Sequence, residues 1–499
     1  MPVAPVFEKL CAREKTGEIV SQVKAECKTD VPTEIVEKIL NENVCATVTL
    51  GEVKKGKAEF VGKATFFVCY SAQDGIKKFE CGAEIRDALI GDAIEDGDTV
   101  KLSFSIDKPE IDLSGLKTAV SAYLTVKGEI FRKKEYPALT GGDGLFCDDL
   151  AANTLKHVGA AASVYSVEEE FEVPYCVSEV LCHRAEACVS SVQCGVGTVI
   201  CDGEIYLSEI LLQSGEKSDI IRENKIFPFR AEIACEDAMP QNFASCRVKV
   251  RSLKTDVGVD ADKNLSNVTV SVSLSLNGEA FSLNEETFAK DAFSIENELT
   301  VTKETVKFYA EGEPLSVYEK FTGRVAADGV ENAKAVTVMS EKAEIASATV
   351  ANGEITVTGA ATINALFFGE DGKPFSRKAE IPFEHKIPYG GGNRIDVTVT
   401  PKRAGVKIVG GTELECEVET VLSVYEEKEY SAEIVSAVEQ GEKKAENDAA
   451  ISVYIPLEGE NLWDLAKRLN AEPDTLLSTN KDLRFPLTGK ERIVVYRRK

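Results

Sequence analysis

A chain of 499 residues with a hydrophobic fraction of 43% is long enough for three or four packed domains and too apolar for wholesale disorder. Its 83 acidic against 58 basic residues give a net charge of −25, which repels nucleic acid over most of the length and excludes that class of partner. The last 48 residues, from Ser452, differ in carrying 9 basic and 7 acidic side chains, so charge alone marks a boundary there.

The first residues, Met1-Pro2-Val3-Ala4-Pro5-Val6-Phe7-Glu8-Lys9, lack the basic start and apolar run of a signal peptide. No later stretch approaches the ~18 apolar residues of a membrane helix. The expectation is a cytosolic protein with no direct membrane insertion.

Along the chain one pattern occurs three times, a glycine inside a strand followed by apolar residues four and eight positions later. The copies are Gly62, Phe66 and Tyr70, then Gly203, Leu207 and Leu211, then Gly359, Ile363 and Phe367. Even spacing places each set on one strand face, and a glycine there implies a bulge or a close backbone approach. A turn glycine follows each copy, at Gly75, Gly215 or Gly372. The last two copies lead on to Phe227-Pro228-Phe229 and Ile381-Pro382-Phe383. Cleanly alternating strands come next: Val100–Ile106 and Val120–Val126, then Val268–Leu276, then Ile395–Val399 and Leu414–Leu422. Such alternation belongs to half-buried antiparallel sheet, and several strands per unit imply sandwiches.

The glycines lie 141 and 156 residues apart, a domain-sized period. The predicted fold class is therefore mainly β, with three tandem antiparallel β-sandwich-like repeats at 1–145, 160–295 and 298–438. Boundaries are expected at the Gly141-Gly142-Asp143-Gly144 turn and near Asn297. The polar run from Glu439 is read as a linker over 439–450.

Fourteen cysteines include no closely spaced pair of the kind zinc sites use. Cys201 shares strand parity with Val199, Ile205 and Leu207, and Cys416 with Leu414, Val418 and Leu422, so they read as small buried hydrophobes. His157, His183 and His385 are scattered, and no triad or metal spacing joins them. Gly390-Gly391-Gly392 lacks the lysine and hydroxyl residue of a phosphate loop. No catalytic residue, cofactor or metal is expected, and the chain reads as a non-enzyme.

The segment 451–499 changes pattern. Val453-Tyr454-Ile455-Pro456 predicts a short strand and Gly459 a turn. Asn461 is placed to cap a helix whose apolar stripe is Leu462, Leu465, Ala466 and Leu469. Pro473 suits the first turn of a second helix reaching Asn480. Arg492–Tyr496 makes a closing strand, so the order is βααβ. Trp463, the only tryptophan, lies beside the apolar stripe, where an aromatic residue serves either as an interface anchor or as a cover for the small core.

This segment resembles a LysM domain, on Gly459, Leu462, Leu465-Ala466, Leu476, Asn480 and Gly489-Lys490-Glu491-Arg492-Ile493. The resemblance implies a groove between the first strand–helix turn and the loop after the second helix. Its candidate ligand- or partner-binding residues are Gly459, Glu460, Asn461, Leu462 and Trp463, with Asn480, Lys481, Asp482 and Leu483. The upstream units resemble the β domain that recurs in clostridial spore-coat and envelope proteins. Repeats of that domain ending in one LysM imply a spore-coat morphogenesis scaffold in the mother-cell cytoplasm, at the forespore surface. Its implied partner is the ATPase of the coat basement layer. The alternative the resemblance implies is binding of peptidoglycan, or a chitin-like glycan, in the spore cortex or cell wall.

Overall fold

The computed structural model describes residues 3–215, 219–260, 262, 264–333, 336–392, 394–445 and 450–496. The basic end Arg497-Arg498-Lys499 and part of the expected linker, 446–449, lie outside the described residues. The chain is mainly β, in several antiparallel sheets. Among the described residues no helix is long and apolar enough to cross a membrane.

The first sheets come from β1 (Ala4–Pro32), β2 (Lys38–Lys54), β3 (Lys57–Ala72), β4 (Gly75–Ile90), β5 (Thr99–Ile106), β6 (Glu110–Asp112) and β7 (Lys117–Asp143). Strands β2-β3-β4 form a meander, while β7 pairs with β1 on one side and with β5 and β6 on the other. The same plan follows in β8 (Phe146–Val173), β9 (Val177–Cys194), β10 (Thr198–Gln213), β11 (Ile220–Ala234), β12 (Phe243–Asp260) and β13 (Leu265–Phe293). It follows again in β14 (Asn297–Ala326), β15 (Val336–Ala351), β16 (Glu354–Phe368), β17 (Pro374–Pro388), β18 (Ile395–Val409) and β19 (Glu413–Lys443). Each time the middle three strands, β9-β10-β11 or β15-β16-β17, make a meander. Each time the last strand sits between the first strand and the one before it, as β8-β13-β12 and β14-β19-β18.

Period-two alternation turns one face of each sheet inward, and the two facing sheets of a unit share one apolar core. Phe60, Phe66 and Ile85 thus meet Val120, Leu124 and Val126 in the first unit. The strand glycines occupy matching places. A Cβ on Gly62, Gly203 or Gly359 would lie 2.1, 2.2 or 2.2 Å from the carbonyl oxygen of Thr47, Cys188 or Glu344. Phe229 and Phe383, the last residues of the two Pro-centred triplets, cover Gly203 and Gly359 from the next strand, filling the space a side chain would take. In the first unit Ile85 stands opposite Gly62 instead.

Two features differ from the expected boundaries. Strand β8 already starts at Phe146, not near residue 160, and β19 continues to Lys443, into the expected linker. The cause is a two-stranded arm on each unit. The third strand of the sheet stops opposite Phe131, Phe281 or Glu426, and beyond it only the first and last strands continue to pair. Arm strands have one solvated face and interrupted alternation, as in Glu439-Gln440-Gly441-Glu442-Lys443, which resembles a polar linker when read locally.

The arms and meanders of all three units meet. Leu10, Phe281, Phe288, Phe308 and Ile434 share one buried cluster. Leu40, Leu181 and Met339, with Cys69, Ile210 and Leu366, share another. Ile210 follows Cys69 by 141 residues and Leu366 follows Ile210 by 156, the same spacing as the glycines. Polar side chains beside this cluster bond across units: Asn364 Nδ2 donates to the Leu40 carbonyl at 2.8 Å, and Ser340 Oγ to Asn41 Oδ1 at 2.7 Å. Buried ion pairs add register. Glu341, fully enclosed, accepts from Arg184 at 2.8 Å and Arg222 at 2.7 Å, and Glu311 from Lys101 and Arg247 at 2.8 Å each. Although burial opposes ionisation, the two guanidiniums keep the Glu341 carboxyl below its ordinary range.

Candidate functional site

The C-terminal segment folds as β20 (Ile451–Tyr454), α1 (Leu462–Leu469), α2 (Pro473–Thr479) and β21 (Ile493–Tyr496). Leu465, Ala466, Leu469, Leu476, Ile493 and Val495 form its core. Gly459 turns the chain with φ 82°, and the Asn461 side chain accepts the Asp464 N–H at 2.8 Å, capping α1. Glu460 points inward. Its carboxylate accepts from Arg468 at 2.7 and 2.8 Å and from the Leu457 N–H at 2.9 Å, and the Arg468 bond holds its carboxyl below the usual range. Asn480 is equally committed, donating to the Leu476 and Val494 carbonyls and accepting the Val494 N–H at 2.8 Å. It ties α2 to β21.

The two loops of the expected groove are therefore built differently from a pair of open walls. The first turn zips onto the segment before β21, Gly459 N–H to the Leu487 carbonyl at 2.7 Å and Leu487 N–H to the Glu460 carbonyl at 3.0 Å. Leu462 and Leu483 pack against the small core, and Gly459, Asn461, Lys481 and Asp482 remain exposed.

Trp463 does not stand free as an outward anchor. Its ring meets Phe293 edge-on at 5.0 Å, and its Nε1–H donates to Asp291 Oδ2 at 2.9 Å. Lys467 Nζ reaches the same carboxylate at 2.6 Å. Burial works against the Asp291 charge, yet the bonds from Lys467 and Trp463 hold its carboxyl below the ordinary value. Lys444 Nζ donates to Asn470 Oδ1 and the Ser294 carbonyl, both at 2.9 Å, and Asn470 Nδ2 to the Ile295 carbonyl at 2.6 Å. The segment thus seats on the arm of the second unit. Helical spacing alone places Trp463 on the flank of α1 without saying what meets that flank.

The outward face of the segment is apolar instead. Ile451, Val453, Ile455 and Leu457 alternate along β20 and its extension at 58 to 70% exposure, and Tyr496 stands opposite Ile451. The alternation is legible in the sequence, but which face the body covers is not.

A second site was invisible in the sequence, a cavity of about 450 Å³ where the three units meet. His183 lies in its wall, with Nδ1 3.3 Å from Thr255 Oγ1, which donates to Glu209 Oε1 at 2.7 Å. With that hydroxyl proton on Glu209, Thr255 accepts from His183 Nδ1–H, leaving Nε2 as the acceptor. Burial pushes His183 down to about 4 and the Glu209 carboxyl up to about 8. His157 and His385 lie elsewhere, against Phe281 and Glu319. Among the described residues no group of three His, Cys, Asp or Glu is placed to hold a metal. Comparison with family models, with curated proteins and with solved structures finds no match.

Proposed function

We propose that the chain is a non-enzymatic scaffold for spore-coat assembly, similar to the SipL-like clostridial spore-coat morphogenesis proteins. In this reading three copies of one sandwich module carry a terminal LysM domain. That domain docks on the basement-layer ATPase at the forespore surface, from the mother-cell cytoplasm. The observation that carries the reading is the exposed row Ile451, Val453, Ile455 and Leu457 on an otherwise seated βααβ segment. Contiguous apolar side chains in water are a cost that a protein partner removes. The matching glycines and the matching strand plan of the three units support the repeat reading.

The test uses the full chain, wild type against Val453→Asp with Ile455→Asp, and measures capture of the basement-layer ATPase. Both residues are more than half exposed, so the fold tolerates the change. At least tenfold weaker capture is expected. Undiminished capture would overturn the assignment of this face. Sedimentation of the chain with purified peptidoglycan, without ATPase capture, would select the glycan-binding alternative.

A further inference from the structure

The cavity between the three units has a charge character opposite to that of the chain. Its walls carry five cations, of which two are already neutralised. Arg184 pairs with Glu341 at 2.8 Å, and Arg247 pairs with Glu311 at 2.8 Å and Asp396 at 2.6 Å. Lys63, Lys249 and Arg251 also line the cavity, and among the described residues none has a carboxylate within ion-pair distance. Two carboxylates face the same space, Glu80 and Glu186, the latter 3.5 Å from Arg184.

Lys249 is the central group. Its Nζ donates to the Phe104 carbonyl at 3.0 Å and lies 3.6 Å from the centroid of the Phe104 ring. A carbonyl and an aromatic face stabilise an ammonium without neutralising it. The side chain is solvent-exposed where it opens into the cavity, and the surrounding protein together with the Arg247 charge pushes its amine down to about 8, with Glu186 acting the other way. A chain of net charge −25 has carboxylates to spare, yet leaves this ammonium without one. Phe67, Phe104, Val248 and Leu253 supply apolar wall beside the charge. The volume falls in the range of small-molecule sites, whose lining is apolar with a few placed polar groups.

We infer that this cavity is a binding site for a small organic anion, whose carboxylate or phosphate pairs with Lys249 and Arg251 while its apolar part lies against Phe67 and Phe104. The site is independent of the C-terminal segment and needs all three units, since Lys63 and Phe104 come from the first, Lys249 and Arg251 from the second, and Thr400 and Tyr425 from the third. The occupant would tie the units together as well as be recognised by them.

Isothermal titration of the full chain with benzoate, phenyl phosphate and inorganic phosphate tests this at constant ionic strength. One molecule of benzoate or phenyl phosphate should bind per chain with Kd near or below about 1 mM, and Lys249→Met should weaken it at least tenfold. Benzoate above phenyl phosphate would assign the head group as carboxylate, and the reverse as phosphate. Inorganic phosphate binding as tightly as either would overturn the organic part of the inference. No binding at ten times that concentration, or binding unchanged by Lys249→Met, would overturn it entirely. Should the variant fail to fold, the pH profile of Glu209→Gln, which keeps Lys249, decides. Affinity must be level below pH 8 and fall about tenfold per unit above it. Glu209, bonded to Thr255 beside His183, itself titrates near 8 and is removed in that variant, while His183 is already neutral and burial pushes Cys188 up, Cys45 up to about 11 and Tyr425 higher still. A profile flat across pH 8 would also overturn it.

Discussion

The β body and the C-terminal segment place their polar and apolar groups in opposite ways. In the body, charges and amides lie inside, where units meet: Glu341 and Glu311 are enclosed, and Asn41, Ser340 and Asn364 bond to one another. In the segment, charges hold the fold locally through Arg468 and Glu460, while Ile451, Val453, Ile455 and Leu457 face outward. A buried ion pair adds little net stability over a hydrophobic contact but is costly to break on one side, so it fixes which partner sits where. The body therefore spends its specificity internally, on register between units. The segment leaves an apolar face uncovered.

The sharpest way to break the contrast is Glu341→Ala. It leaves Arg184 and Arg222 buried with their shared counter-charge gone, and should cost about 3–5 kcal/mol in urea unfolding. A loss below about 1 kcal/mol would mean that the enclosed carboxylate does not organise the interface between the second and third units.

A somewhat smaller effect depends on pH. The Glu209 carboxyl, pushed up to about 8 by burial, binds its proton more tightly in the folded chain than in the unfolded one, where it titrates near 4.5. Its contribution is neutral below pH 4.5, and stability is lost as pH rises from there towards 8. At pH 7 the penalty is about 3 kcal/mol. Glu209→Gln should remove that slope, so the difference between variant and wild type should grow steadily across the window. A constant difference would show that Glu209 is ionised throughout.

Local pattern carried much of this architecture. Gly62, Gly203 and Gly359 were readable as close approaches because no side chain fits against the carbonyl of the neighbouring strand. The Asn461 cap and the stripe from Leu462 to Leu469 were readable because a helix start depends on a few adjacent residues. The arms were not, since strands such as β8 alternate poorly where three units share the contact. The cavity was not either, because Lys63, Lys249 and Arg251 are far apart in sequence and only the packing of units brings them together. Glu460 and Asn480 matched the expected groove by position, yet their side chains are used inside the segment. A motif position specifies a residue type and leaves open whether the residue builds the fold or meets a ligand.

The join between the two regions should show the smallest effect and sharpen the comparison most. Trp463 is half-buried, so Trp463→Ala should cost less than the about 3–5 kcal/mol of a fully buried aromatic, on the order of 1–2 kcal/mol. That loss should fall on docking and not on folding of the segment, because Leu465, Ala466 and Leu469 keep their own core. Hydrogen exchange should then stay slow at the Leu469 amide within α1 while it quickens at the Ala292 and Phe293 amides under the lost ring. Asp291→Ala should do the same, since it removes the shared acceptor of Trp463 and Lys467. If both variants instead speed exchange throughout α1 and α2, the segment has no stability of its own. Its outward apolar face would then be presented only while the body holds the segment folded.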